Sequence, residues 1–365
     1  MSKLLHKIAL SFLPNFGPVR IRYLISHLGS FEAIFEEDKK KLAKIPNIGS
    51  KIVENLDLNL ALELAKKEID YIEKNNIDVL FYLDNNFPKS LLHYDDLPII
   101  LYVKGNIDLN KGKFLSIVGT RNMTSYGQNL CYKIVEDLSQ MQIPITIVSG
   151  LAYGIDYTAH NAAIKNKLKT IACIGNGLGV IYPASHRDLY SKIAENGAIL
   201  SEFPFSTQPH PANFVRRNRI IAALSEATLV VESAKGGGAL ITAEFANSYN
   251  REVMTFPGRV ADKTSEGCNW LIKKNKANLV ENAQDLVDIL NWKPNKMPVQ
   301  TSIFHNFTDN EKIIVDFLKT QDTVNIDIIS YETNLPINVV MSTIFQLEFN
   351  NIVMALPGRM YKIMI

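Results

Sequence analysis

Residues 116–128 read SIVGTRNMTSYGQ: an apolar run, a turn at Gly119 and the start of a helical pattern. A doubly wound nucleotide-binding domain opens this way, but the G-x-G-x-x-G spacing that sets a pyrophosphate on a helix N-terminus is absent. Arg121 stands where the backbone would have to approach such a ligand. The strand-turn-helix pattern repeats over 113–290. Its apolar runs are FLSIV, ITIVS, TIACIG, AILSEF, ATLVVES, EVMTF and ANLV, with helical stretches at 126–141, 155–166 and 240–249. Continuous apolar strands alternating with helices predict a parallel sheet covered on both faces, with ligands beyond the carboxyl ends of its strands.

Four glycine-bearing turns fall on that edge: GTRNMTSYG after the first strand, SGLAYGIDYTAH after the second, GNGLGVIYP after the third and SAKGGGALITA after the fifth. Through Gly119, Gly127, Gly150, Gly154, Gly236, Gly237 and Gly238 they present backbone N–H groups, to which Ser125, Ser149 and Thr242 add hydroxyls. With two helix N-termini, this is an anion site. Between Glu202 and Glu226 there is no acid, while NFVRRNRIIAALS carries Arg216, Arg217 and Arg219. With Arg121 and Lys235 these would line a groove for several phosphates, more cations than one nucleotide needs. A strand is the expected ligand, its bases stacking on Phe214 and Tyr126. The other reading of each arginine is a surface ion pair or helix cap, and of Phe214, core packing.

A chain of 365 residues at 47% hydrophobic predicts two to three globular domains. No apolar run reaches the roughly 18 residues of a membrane span, and MSKLLHKIALSFLPNFG is too interrupted for a secretory signal, so a cytoplasmic protein without a membrane partner is expected. Cys131, Cys173 and Cys268 lack paired spacing, which supports neither a disulfide framework nor a metal site, and no cofactor is expected. Net charge is only +2, so an anion-binding face must be local. A catalytic alternative exists. Asp156 and His160 lie four apart on one helix face and Glu244 follows the GGG turn, a set that would suit a nucleotide or phosphoribosyl hydrolase. Against it, no phosphate-loop, zincin or nucleophile-elbow motif is present.

The N-terminal segment, 1–76, holds a repeat: LPNFGPVRIRYL and IPNIGSKIVENL, each Pro-Asn-apolar-Gly before a helical pattern. Such turns either grip phosphates, as in helix-hairpin-helix modules, or merely connect a helical bundle. Asn15 and Asn47 stand where a glycine is usual, and asparagine tolerates the left-handed conformation. The central domain is set at 77–292 and a polar linker at 293–306. The last domain, 307–365, reads as a winged helix: a Thr308-x-x-Glu311 capping box, two further helices and a two-stranded wing. Its third helix has no Lys or Arg between Pro336 and Asn351, which favours a protein-contacting role over a DNA-reading one.

In order, IVGTRNMTSYG, VSGLAYGIDYTAHNAAI, TIACIGNGLGVIYP, ILSEFPF, FVRRNRIIAALSEATLVVESAKGGGALITAEFA and REVMTFPGRVADKTSEGCNWLI resemble the motifs of the DNA-processing protein A family, DprA/Smf. The resemblance is strong over 87–290 and weaker at both ends. It implies an extended Rossmann-like domain that binds single-stranded DNA, forms a homodimer and loads the RecA recombinase during natural transformation. The family's turn residues map to Gly119 and Arg121, and to Ser149, Gly150, Ala152, Gly154, Ile155 and Asp156. Its F-x-x-R-N-R-I-I run maps to Phe214, Arg217, Asn218, Arg219, Ile220 and Ile221. Gly237, Gly238 and Ala239 replace an expected Ser-Gly-Ser, leaving backbone rather than hydroxyl contacts there. Apolar residues of NWLI and DLVDILNW, namely Leu271, Ile272, Leu286 and Ile289, are candidates for the dimer interface or for the core.

Overall fold

The apolar runs become strands β1 (Asp78–Phe81), β2 (Ile100–Gly105), β3 (Lys113–Val118), β4 (Ile145–Ser149), β5 (Lys169–Cys173), β6 (Ala198–Ser201), β7 (Ala227–Val230), β8 (Glu252–Thr255) and β9 (Asn278–Leu279). They form one sheet in the order β1-β2-β6-β5-β4-β3-β7-β8-β9. The structure is a computed structural model and describes residues 3–46, 48–292, 307–321, 323–350, 352–356 and 359–364. It falls into two compact units, Met1–Asn295 and Lys296–Ile365. The linker expected at 293–306 lies outside the described residues.

From β6 to β9 the sheet is parallel, as the continuous apolar runs require. The other edge makes the sheet mostly rather than wholly parallel, as the family resemblance implies: β1 and β2 pair antiparallel, and β2 joins β6 antiparallel. IILYV, an apolar run that reads as a buried strand, joins this sheet as β2. Its position could not be read from periodicity, because pairing direction follows the path of the chain. Fully buried Leu115, Ile117, Ile147, Ile171 and Leu229 seal the central strands, each such side chain contributing about 1.5 to 3 kcal/mol.

Helices α7 (Ser125–Gln140), α8 (Ile155–Lys165), α9 (Arg187–Asn196), α10 (Pro211–Leu224), α11 (Gly238–Ser248), α12 (Glu266–Lys273) and α13 (Ala283–Ile289) follow the earlier α1 (Lys3–Ala9), α2 (Pro18–Leu28), α3 (Ala33–Glu36), α4 (Lys39–Leu42), α5 (Gly49–Val53) and α6 (Leu58–Asn75). From β3 the chain steps through β4, β5 and β6 to one side; α10 then returns it to β7 on the other. The connections after β3 and β7 thus diverge and leave a crevice at their carboxyl ends, the switch point where such sheets bind ligands. The N-terminal helices share one core with the antiparallel edge, in which Ile8, Leu24 and Ile34 meet Phe81, Tyr102 and Ile199. Asn15 adopts φ 65°, the left-handed form expected of it, and Asn47 lies outside the described residues.

The second unit has its own core, Ile314, Leu318, Ile329, Ile344 and Leu347. It comprises α14 (Asp309–Leu318), β10 (Val324–Asn325), α15 (Ile326–Thr333), α16 (Ile337–Phe349), β11 (Val353–Leu356) and β12 (Met360–Ile363), the strands ordered β10-β12-β11. Thr308 and Glu311 form the capping box on α14.

Candidate nucleic-acid interface

The arginine-rich run is helix α10. His210 caps it by accepting the Ala212 N–H at 3.3 Å, and Pro211 occupies the first turn, where proline's fixed φ suits a helix start. On a helix the run sorts by face. Phe214, Arg217, Asn218 and Ile221, at i, i+3, i+4 and i+7, line the switch-point crevice, whereas Arg216 and Arg219 pair with Glu202 at 2.8 and 2.5 Å.

The crevice has a volume of about 490 Å³. Gly119 and Arg121 of the first turn, Ala152 and Asp156 of the second, and Gly237, Gly238 and Thr242 of the fourth complete its walls. No side chain caps α11, which starts at Gly238; Leu240 donates to the Gly237 carbonyl, and the amides of Gly238 and Ala239, two residues of the crevice lining, are left without an intrahelical partner. At the rim, the exposed Arg121 guanidinium stands 5.8 Å from the centre of the Phe214 ring. Tyr182 also stacks on Phe214, its ring centre 5.4 Å away and its plane inclined by 25°. Cation and rings together make a surface on which an unpaired base can stack while its phosphate meets a positive charge.

Arg217 works from beneath. Only 4% exposed, it donates to the Gly150 carbonyl at 2.5 Å and to the Cys173 carbonyl, clamping the ends of β4 and β5. A Cβ at Gly150 would run into this guanidinium, which is why the turn needs glycine. Gly154 adopts φ +76°, and a side chain there would meet the Thr120 carbonyl. Asp156 is buried and accepts the Ala152 N–H at 3.3 Å. Burial pushes its carboxyl upward, with Arg217 opposing; burial likewise lowers Arg217, with Asp156 opposing.

Other residues expected at the site lie elsewhere. Ser149 is buried and donates to the Ile117 carbonyl at 2.6 Å. Lys235 and Gly236 are exposed on the turn after β7, outside the crevice lining. Ser125, Tyr126 and Gly127 form the first turn of α7, and Tyr126 lines a separate hollow with Gly258 and Arg259. Gly127 packs on the Glu232 carboxylate, which accepts the Thr124 N–H at 2.9 Å and its hydroxyl at 2.8 Å. Glu202, Glu232 and Tyr182 were not singled out in the sequence. A helical reading of 211–224 would have pointed to an acid opposite Arg216 and Arg219, but nothing local marks Tyr182. Of the catalytic set, His160 is fully buried, 2.7 Å from the Thr170 hydroxyl, and burial pushes it down to about 3. Glu244 is exposed on α11 and does not line the crevice. Among the described residues no helix is long and apolar enough to cross a membrane.

Comparison with known proteins follows the same outline. The model of the family described as DNA recombination-mediator protein A matches residues 78–291. Protein Smf of Escherichia coli is 31% identical over 350 residues, spanning 91% of this chain and 93% of its own. DNA processing protein DprA of Streptococcus pneumoniae is 40% identical over 205 residues, 56% of this chain and 71% of its own. The X-ray structure of DprA from Streptococcus pneumoniae superposes with a TM-score of 0.64 at 32% identity, covering 79% of this chain and 98% of the other. The DprA structure from Helicobacter pylori, described as showing a single-stranded DNA binding mode, gives 0.53 at 29% identity, covering 59% and 95%. A family match over the whole sheet and crevice, with a relative aligned along nearly the full chain, establishes that the chain belongs to the DNA recombination-mediator protein A family, the DprA/Smf proteins.

Proposed function

We propose that the chain binds single-stranded DNA in the crevice between β3 and β7 and acts by binding rather than by chemistry. The observation that carries this reading is the rim, where Arg121 stands over Phe214 and Phe214 stacks on Tyr182, above amides that α11 leaves free. Stacking is indifferent to base identity, and the cation and amides meet the backbone, so a strand of any sequence is retained. The test is a titration of a labelled oligothymidine at increasing salt. The expected result is a linear fall of log affinity with log salt, while incubation with nucleoside monophosphates releases no free base. Salt-independent binding, or release of base, would count against the proposal.

The finer parts of the reading rest on the family. We propose that two copies hold one strand and pass it to the RecA recombinase in the cytoplasm during natural transformation. Of the four interface candidates, Leu271 and Leu286 are fully buried and belong to the core, which leaves the half-buried Ile272 and Ile289, 38% exposed, as the members available to a partner. We read the second unit as a winged helix with an accessory role. We read the Asn15 turn, where Arg20 donates to the Asn15 carbonyl at 2.7 Å, as half of a helix-hairpin-helix-like module.

A further inference from the structure

Beyond Phe214 and Tyr182 the edge of the crevice carries further rings. Ala152 of the second turn lines the crevice. The next residue, Tyr153, is 49% exposed, and one helical turn on, in α8, Tyr157 is 36% exposed. Gly154, between them, lies against the Thr120 and Arg121 carbonyls, so the pair stands beside the turn that carries Arg121. On the other flank the Tyr153 and Ser185 hydroxyls hydrogen-bond at 3.1 Å. Ser185 follows Tyr182 by three residues, at most about 11 Å of chain. Both tyrosine rings rest on one post, the ring of His186: each centre lies 4.8 Å from it, with the planes inclined by 74° and 44°. His186 is buried and donates from Nδ1 to the Leu151 carbonyl at 3.1 Å, which fixes the post. The next residue, Arg187, is exposed, and the acid beside it, Asp188, is paired with Lys192 at 2.8 Å. Exposed rings scattered singly are ordinary on a protein surface. Two held on a buried histidine, next to a cation and continuous with a ring-lined crevice, make a platform.

We propose that Tyr153 and Tyr157 form a second stacking station for the single strand, which leaves the crevice across Tyr182 and lays its next bases on this pair while Arg187 meets a phosphate. A strand held without regard to sequence is held over several nucleotides, by rings that take successive bases and cations that follow the backbone. The crevice lining itself holds two rings, Phe214 and Tyr182. The station makes the binding site longer than the crevice and fixes the side on which the strand emerges. It does not discriminate between bases: the tyrosine faces are apolar, and the Tyr153 hydroxyl is already engaged by Ser185. The proposal rests on the single-strand reading and adds to it residues outside the crevice lining.

The test uses the full chain and oligothymidines of four and ten nucleotides at one salt concentration. The wild type should bind the longer one at least about tenfold more tightly than the shorter. In the double variant Tyr153→Ala, Tyr157→Ala that ratio should fall by about tenfold, the scale of one lost base–ring stack. In Tyr153→Phe, Tyr157→Phe, which keeps the rings and loses only the hydroxyls, it should stay within about twofold of the wild-type ratio. Position is read separately on the wild-type chain, by irradiating ten-mers that carry a single 5-iododeoxyuridine and identifying the crosslinked residue. As the label moves along the strand, the crosslink should pass from Phe214 or Tyr182 to Tyr153 or Tyr157. A ratio that survives loss of both rings, or crosslinks that never reach Tyr153 or Tyr157, would overturn the proposal. Should the alanine variant not fold, the crosslinks decide. Failure of the wild type to bind either oligothymidine would instead overturn the single-strand reading, and this inference with it.

Discussion

The crevice of the central sheet and helix α16 of the second unit both show aromatic rings to solvent, and they differ in what stands beside the rings. On α16, Phe345 is 70% and Phe349 82% exposed, more than any ring at the crevice, yet residues 336–351 carry no Lys or Arg. At the crevice Phe214 is half-buried, with Arg121 and Tyr182 both against it, and a buried arginine fixes the turns beneath it. A polyanion is retained by cations and oriented amides, and rings add to that only where the backbone is already held. Exposed aromatics alone describe a surface for another protein or for none.

That contrast can be broken by experiment. The largest effect is expected at Arg217. Replacing it with Met removes the donor to two buried carbonyls and leaves Asp156 without its compensating charge. Stability should fall by about 3 kcal/mol, with single-strand binding lost in proportion; an unchanged denaturant midpoint would show that the clamp is dispensable. Next is Arg121→Ala, which touches no buried group. It should weaken oligothymidine binding by about 1 to 3 kcal/mol and lower the salt slope by about one, with the melting temperature unchanged. Unaltered affinity in the folded variant would remove Arg121 from the interface. Ile289→Glu should yield a folded monomer that binds a short oligonucleotide normally but a long one about tenfold less tightly, because two linked sites no longer act together. Sedimentation showing a monomeric wild type, with and without DNA, would refute this. The smallest effect is assigned to the second unit. Deleting 307–365 should cost less than about tenfold in single-strand affinity, roughly 1.4 kcal/mol. A greater loss would mean that uncharged α16 contributes after all and that the contrast is misread.

The strands from β3 to β8 were legible because each is an apolar run bounded by turn residues, and strands buried on both faces carry that signature wherever they sit. The ends of α7, α8 and α11 follow their sequence patterns to within two residues. Strand β1 and the antiparallel edge were not legible. Pairing partners there come from remote parts of the chain, and DVLF alone does not announce a strand. Of the site, the glycine turns, Arg121 and Phe214 could be read from type and spacing. Tyr182 could not, since a tyrosine in a loop carries no local sign that it will stack on a helix residue more than thirty positions away.

The sequence by itself determined the alternation of strand, glycine turn and helix, and with it the edge of the sheet on which a ligand would lie, because apolar periodicity and turn chemistry are local properties of the chain. It also determined that three arginines fall within four residues. Only the tertiary structure decided their different fates. Arg217 became a clamp between two strand ends, Arg219 half of a buried ion pair, and Arg216 the exposed partner of the same glutamate. The physical reason is that a helix turns successive side chains by about 100°, so neighbours in sequence enter different environments. Which environment each meets depends on where α10 crosses the sheet, and that depends on contacts between residues far apart in the chain.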